Sequence, residues 1–228
     1  MSGNNIGTRR ESSLHRSLKY QYSGTDGITE AQFGSYVCDA CTEEGEYIEI
    51  QTGSFGPLRE KAEELTKKNK LRIIHPIIKT KTISLYSDKN KLLHNRKSPV
   101  KGKTWDLFDV LIYAPLLPLL KNLSIELAVV DVIEKRKDDG SGSWRRKGIS
   151  ITDRLLETRH DSVILKKPAD YKVFIPYKKN EEFTARELAE KTGIKPDLAR
   201  KTIYVLVKIG LIKQIGKKGR AFLYKACK

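Results

Sequence analysis

Four residues near the end of the chain, Thr184, Glu187, Gly193 and Pro196, constrain its folding more than any other feature. Thr184-Ala185-Arg186-Glu187 has the spacing of a capping box, in which the Thr hydroxyl and the Glu carboxylate satisfy orphan backbone donors where a helix begins. Leu188 and Ala189 give that helix an apolar side, and Gly193 supplies the left-handed residue that ends it. A second helix opens at Ile194-Lys195-Pro196, because Pro in a first turn forfeits only an N–H that would have no partner. It runs through Ile209 and stops at Gly210. Ala199, Ile203, Leu206 and Val207 recur at helical spacing, while Lys195, Arg200, Lys201, Tyr204 and Lys208 point elsewhere. Two short strands, Leu211 to Ile215 and Ala221 to Lys225, follow. The basic turn Gly216-Lys217-Lys218-Gly219-Arg220 joins them.

Helix, turn, helix and basic hairpin together read as a winged helix-turn-helix over residues 177–228. A helix fits the major groove of double-stranded DNA, and a basic wing lies along phosphates. The expected contacts are Lys195, Arg200, Lys201 and Tyr204 on the helix, with Lys217, Lys218 and Arg220 on the wing. From Tyr177 to the end there are 14 Lys/Arg against 5 Asp/Glu, a balance of +9. A winged helix used for protein contacts or internal packing is the bland alternative.

Over the whole chain, 44 Lys+Arg against 28 Asp+Glu leave a formal charge of +16, as a phosphate-binding surface requires. A length of 228 residues suits one medium domain and one small one. No stretch approaches the ~18 uncharged apolar residues of a membrane span. Met1 to Thr8 is polar and lacks the apolar centre of a secretory signal. Three cysteines, an odd count, argue against a disulfide framework and for a cytoplasmic location. Cys38 and Cys41 form a lone CxxC without the two further ligands zinc would need, so they read as packed residues.

Residues 1–176 hold the candidate chemistry. A helix from Glu11 to Tyr22 would turn Leu14, Leu18 and Tyr22 inward, with Glu11 on the same stripe. A strand, Tyr36 to Ala40, then turns at Glu43-Glu44-Gly45 into a second, Glu46 to Thr52. Alternation puts Glu49 and Gln51 on one face, with Ile48 and Ile50 on the other. Asp39 lies across the hairpin from Glu49, so the two carboxylates can meet. A charge-laced helix, Leu58 to Asn69, and a buried strand, Leu71 to Pro76, come next.

Helix, hairpin, helix and strand carrying Glu11, Asp39, Glu49 and Gln51 resemble the PD-(D/E)XK nuclease core. That resemblance implies an α/β (α+β) restriction-endonuclease-like mixed sheet flanked by helices. It also implies a site in which Asp39, Glu49 and the Ile50 carbonyl hold Mg2+ or Mn2+, Glu11 assists, and Gln51 orients the attacking water. The last position is usually Lys; an amide can hold water but adds no positive charge. The whole chain resembles a bacterial protein group that joins such a core to a C-terminal winged helix. The shared segments are Glu11–His15, Ile48–Gly53, Gly142–Arg146 and Gly216–Gly219.

The remaining segments read less sharply. Thr80 to Tyr86 alternates as a strand, and a turn at Asp88–Lys91 leads to a polar return strand. Asn95 to Lys103 is basic and free of acids. Asp106 to Leu120 reads as an apolar helix broken near Pro115, Ile125 to Glu134 as a buried strand, and Ile151 to His160 as a helix. Between the last two, Gly140-Ser141-Gly142-Ser143 reads as a mobile loop carrying Trp144, Arg145 and Arg146, a stacking surface beside charge. Either that loop contacts nucleic acid, or its Trp tucks back onto the domain.

Two functions therefore stand at this stage. One is a Mg2+-dependent DNA endonuclease, for which a homodimer would set two sites against two strands. The other is a DNA-binding regulator or mobile-element accessory protein that keeps the nuclease-like fold without chemistry.

Overall fold

The computed structural model describes residues 11–227; the reading of Met1 to Thr8 lies outside them. The architecture is mixed α+β: a large mixed sheet flanked by helices, followed by a small C-terminal unit. Helix α1 (Ser13–Ser23) precedes the meander β1 (Ile28–Phe33), β2 (Tyr36–Cys41) and β3 (Tyr47–Ile50). After α2 (Arg59–Leu65), the long strand β4 (Leu71–Ser87) pairs parallel with β3. The β3-α2-β4 connection is thus a crossover, which parallel pairing demands. Strands β5 (Leu92–Lys97), β6 (Leu123–Asp138), β7 (Ile149–Arg159) and β8 (Val163–Leu165) complete a sheet ordered β1-β2-β3-β4-β6-β7, with β5 on β4 and β8 on β6.

Each face of the sheet buries its own core. On one, Leu14 and Leu18 of α1 pack on Ala40, Ile48, Ile50, Ile74, Ala128 and Val130, with Tyr22 alongside, as the helical stripe required. On the other, Phe55, Ala62 and Leu65 pack with Ile73, Ile125 and Leu127. The short helix α3 (Leu107–Leu111) covers the same face.

The C-terminal unit runs β9 (Glu182–Thr184), α4 (Ala185–Thr192), α5 (Pro196–Lys208), β10 (Ile212–Lys218) and β11 (Ala221–Ala226), its three strands ordered β10-β11-β9. The capping box is present: Thr184 Oγ1 accepts from the Glu187 amide at 3.3 Å, and Glu187 accepts from the Thr184 amide at 2.7 Å. Gly193 adopts φ 63°, the left-handed stop its position called for.

Three expectations change. Ile151 to His160 is strand β7, paired antiparallel with β6, rather than a helix. Asp106 to Leu120 holds only five residues of α-helix, because Pro115 and Pro118 divert the rest into turns. Leu71–Pro76 and Thr80–Tyr86 are one strand, continuous through Pro76. Cys38 and Cys41 are free thiols, with Cys38 buried, as packed residues should be. Among the described residues, no helix is long and apolar enough to cross a membrane.

Candidate active site

Asp39 and Glu49 stand on neighbouring antiparallel strands whose register, Ala40 opposite Ile48, sets them across from one another. At this point the ladder between β2 and β3 stops, and side chains take over the pairing. The Ile50 amide donates to Asp39 Oδ2 at 2.7 Å, fixing that carboxylate against the next strand. His15 Nε2, from α1, lies 3.3 Å from the same oxygen. Both contacts fall on Oδ2, and Oδ1 takes neither.

Glu49 is almost out of water, its side chain 13% exposed. Burial raises its pKa, the Asp39 charge raises it further, and Lys61 opposes both. Lys61 reaches across from α2: its Nζ donates to Glu49 Oε2 at 2.5 Å and to the Val37 carbonyl at 2.6 Å. An ammonium thus sits directly on the buried carboxylate. Sequence reasoning passed over Lys61, which lies in a run of charges at helical spacing and looks like a solvated face.

Glu11, just ahead of α1, belongs to the same cluster at one remove. His15 Nδ1 lies 2.5 Å and Lys19 Nζ 3.1 Å from Glu11 Oε1. Although burial pushes the Glu11 pKa up, its bonds to Lys19 and His15 hold it below the ordinary range. Burial alone would lower the His15 pKa, but Asp39 and Glu11 raise it. Beside these residues a cleft of about 530 Å³ opens, lined by Glu11, Ser13 and Arg16 on one side and by Thr152 and Arg154 of β7 on the other.

Gln51 does not join the cluster. Strand β3 ends at Ile50, and the Gln51 amide nitrogen donates to the Ser54 carbonyl at 2.5 Å, closing the turn into α2. Its own carbonyl lies 2.7 Å from His75 Nδ1. In this structure its side chain serves that turn rather than Asp39 or Glu49. Among the described residues, no group of three or more His, Cys, Asp or Glu is arranged to hold a metal.

The basic candidates lie on two further surfaces. Lys195 caps α5, Arg200 and Tyr204 face solvent along it, and Lys217 and Arg220 stand out from the hairpin. Lys218 pairs with Glu187 at 3.1 Å. Lys201 is engaged within the protein. Its Nζ lies 2.7 Å from Asp109 and 2.8 Å from Asp197, so it ties α5 to α3. Trp144 stands 83% exposed between β6 and β7, with Arg145 beside it and Arg146 half-buried.

A family model described as "Domain of unknown function (DUF8091)" matches residues 12–166, which take in Asp39, Glu49, Lys61 and Trp144. An "Uncharacterized protein" of Treponema pallidum (strain Nichols) is 26% identical over 221 residues, covering 96% of this chain and 87% of its own length. No solved structure matches the chain significantly.

Proposed function

The chain belongs to the DUF8091 family, and from that premise we propose that it is a divalent-metal-dependent DNA nuclease of the PD-(D/E)XK type with a C-terminal winged helix for grip. The observation that carries this reading is the Asp39–Glu49–Lys61 cluster: two carboxylates opposed on adjacent strands, with an ammonium 2.5 Å from the buried one. Lys61 supplies from α2 the cation that position 51 lacks.

The donor set suits Mg2+. That ion takes one or two protein carboxylates and leaves its other places to water and substrate phosphate, so a third acid is not needed. Asp39, Glu49 and the Ile50 carbonyl would hold it. Burial raises the Glu49 pKa and the Asp39 charge raises it further, a cost that a cation between the two carboxylates would relieve. When bound, the ion lowers the pKa of a coordinated water and offsets charge on the phosphate being cleaved.

The protein's own groups do the rest. The Ile50 amide holds Asp39 in place, and Lys61 Nζ, with two of its three N–H groups given to Glu49 and the Val37 carbonyl, has one donor left for a water or a phosphate oxygen while adding the positive charge that Gln51 cannot. Glu11, held ionised by Lys19 and His15, orients His15 against Asp39. For binding, Arg200 and Tyr204 of α5 would meet the major groove. Lys217 and Arg220 would follow the backbone from the wing.

One observation favours the binding-only reading. His15 and Lys61 already satisfy Asp39 and Glu49 within the protein, as they would in a core that has kept its fold and lost its chemistry. Incubation of supercoiled plasmid with the protein and Mg2+, Mn2+ or EDTA separates the two. Nicking that needs metal and disappears in Glu49→Gln supports the nuclease. Salt-sensitive binding with no cleavage by either metal would leave a DNA-binding protein alone.

A further inference from the structure

Trp144 is held in water by a turn built to keep it there. Eighty-three per cent of it is exposed, although a buried Trp contributes one of the largest apolar areas any residue can offer. The sequence left open a loop that contacts nucleic acid or a ring folded back onto the domain; the ring is not folded back. The Gly142 amide donates to the Gly148 carbonyl at 2.7 Å, the Lys147 amide to Trp144 O at 3.0 Å, and the Arg146 amide to Ser143 O at 2.9 Å. Asp139 accepts from the Ser141 amide and from the Ser141 and Ser150 hydroxyls at 3.0, 2.8 and 2.8 Å, locking the base of the turn. Gly142 passes so close to β7 that a Cβ there would meet Ile149 O at 1.9 Å. Lys147 is held at φ 52°, a conformation that L-residues avoid unless their surroundings impose it.

Cations surround the ring. Arg145 lies 5.5 Å from its centroid, and Arg146 Nε donates to Ile149 O at 3.1 Å, fixing that guanidinium at the base of the turn. Lys147 follows in the same turn, while the carboxylate of Asp139 is engaged inside it and Asp138 stands exposed at its base. A flat, exposed aromatic surface on an ordered turn beside cations matches one polyanion chemistry: bases whose faces are free, with phosphates on either side. A blunt duplex offers phosphates but hides its base faces.

We infer that the Asp139–Ser150 turn reads unpaired nucleotides, with Trp144 stacking on an exposed base while Arg145 and Lys147 hold the adjoining phosphates. The inference deepens the proposed nuclease, and rests on it, by naming the substrate class: duplex DNA that carries an unpaired stretch, as at a gap, flap or junction. Position agrees. Ser13, at the start of α1, bonds Asp153 at 2.9 and 2.6 Å, and Asp153 stands four residues along β7 from Ile149. That is about 13 Å of strand, roughly four stacked base steps, between the acid cluster's helix and the base of the turn.

The test uses the full-length protein without added metal and three DNAs: a blunt duplex, the same duplex with a short single-stranded gap, and the single strand. Anisotropy should show the gapped duplex bound about tenfold or more tightly than the blunt one, with quenching of tryptophan emission. Trp144→Ala should abolish the preference and the quenching while leaving blunt-duplex affinity within about twofold. Trp144→Phe should keep most of the preference. Trp105, packed 5.2 Å from Phe174, provides the unquenched reference emission. Equal affinity for gapped and blunt DNA, or a preference that survives Trp144→Ala, overturns this inference and leaves the proposed function standing. Binding to no DNA of any form overturns both. Quenching by anionic phosphatidylserine vesicles in place of DNA would reassign the turn to a membrane surface.

Discussion

Glu49 and Glu134 are both buried carboxylates, and their neighbours give them opposite fates. At Glu49 one cation, Lys61, faces burial and a second acid together, so the pKa rises. Lys61→Met should lower metal-dependent plasmid cleavage by about a hundredfold or more, the scale of a positioned proton-handling or charge-bearing group. DNA affinity, read by anisotropy, should hold. Gln51→Ala should cleave within a few-fold of the parent, since its amide serves the Ser54 turn; a loss matching that of Lys61→Met would return the water-positioning role to Gln51. Glu134 is fully buried and meets three cations: Arg136 at 2.6 Å, Arg154 at 2.9 Å and Lys81 at 3.4 Å. Burial pushes its pKa up, but the Arg136 and Arg154 bonds hold it below the ordinary carboxylate range. A folded value below the unfolded one contributes stability above about pH 4.5 and loses it as pH falls through the folded value. Glu134→Gln should therefore destabilise by about 3–5 kcal/mol near neutrality, leaving three cations without their anion. The difference from the parent should shrink in acid, which urea melts at neutral and low pH would read.

Local elements were legible in the sequence wherever their signals were local too. The capping box, the hairpin bearing Asp39 and Glu49, and the α1 stripe each lie within about a dozen residues, and each appears where its pattern put it. Thr184→Ala tests the first: losing the hydroxyl that accepts the Glu187 amide should lower stability by about 1 kcal/mol and reduce the melting temperature accordingly. Strand β7 was read as a helix because Ile151 and Leu155 fall at a helical offset among the good helix formers Arg154, Leu156 and Glu157. The deciding term was its ladder with β6, a partner more than ten residues away in sequence. Propensity yields to such pairing. Lys61 was hidden for the same reason. Its helix looks like any charge-laced surface, and only the β3-α2-β4 crossover brings the ammonium back over β3. Strict alternation set Gln51 on the face of Glu49, whereas strand β3 ends one residue earlier, at Ile50.

At the scale of the whole molecule, the boundary placed at residue 177 is a change of chain topology and not a break in the core. A single apolar cluster runs from Phe55, Leu107, Phe108 and Leu111 through Tyr171 and Phe174 into Phe183, Leu198, Ile203 and Leu206. Phe174 stacks edge-on against Phe108 at 4.9 Å just before the boundary, and Tyr177 stacks face to face with Phe183 at 4.0 Å just after it. Polar ties follow the same seam: Lys201 holds Asp109, and Lys103 Nζ donates to the Gly193 carbonyl at 2.9 Å, where a cation also complements the end of α4. Helix α3 thereby packs against α5 and joins the C-terminal unit to the sheet's core. Two domains joined by a linker would melt separately, and each would survive alone. A shared core predicts one cooperative calorimetric transition, with van't Hoff and calorimetric enthalpies equal. It also predicts that residues 1–176 expressed without the C-terminal unit will bind a hydrophobic dye and aggregate, because Leu107, Phe108 and Phe174 lose their cover. Two resolved transitions, or a monomeric fragment that keeps its near-ultraviolet dichroism, would mean that the seam contributes little. In that event the grip would be free to move relative to the acid cluster. With the seam intact, α5 stands in a fixed relation to Asp39 and Glu49 whatever the length of the chain between the units, so under the proposed function a flexible insert beside Tyr177 should leave the ratio of cleavage to binding unchanged.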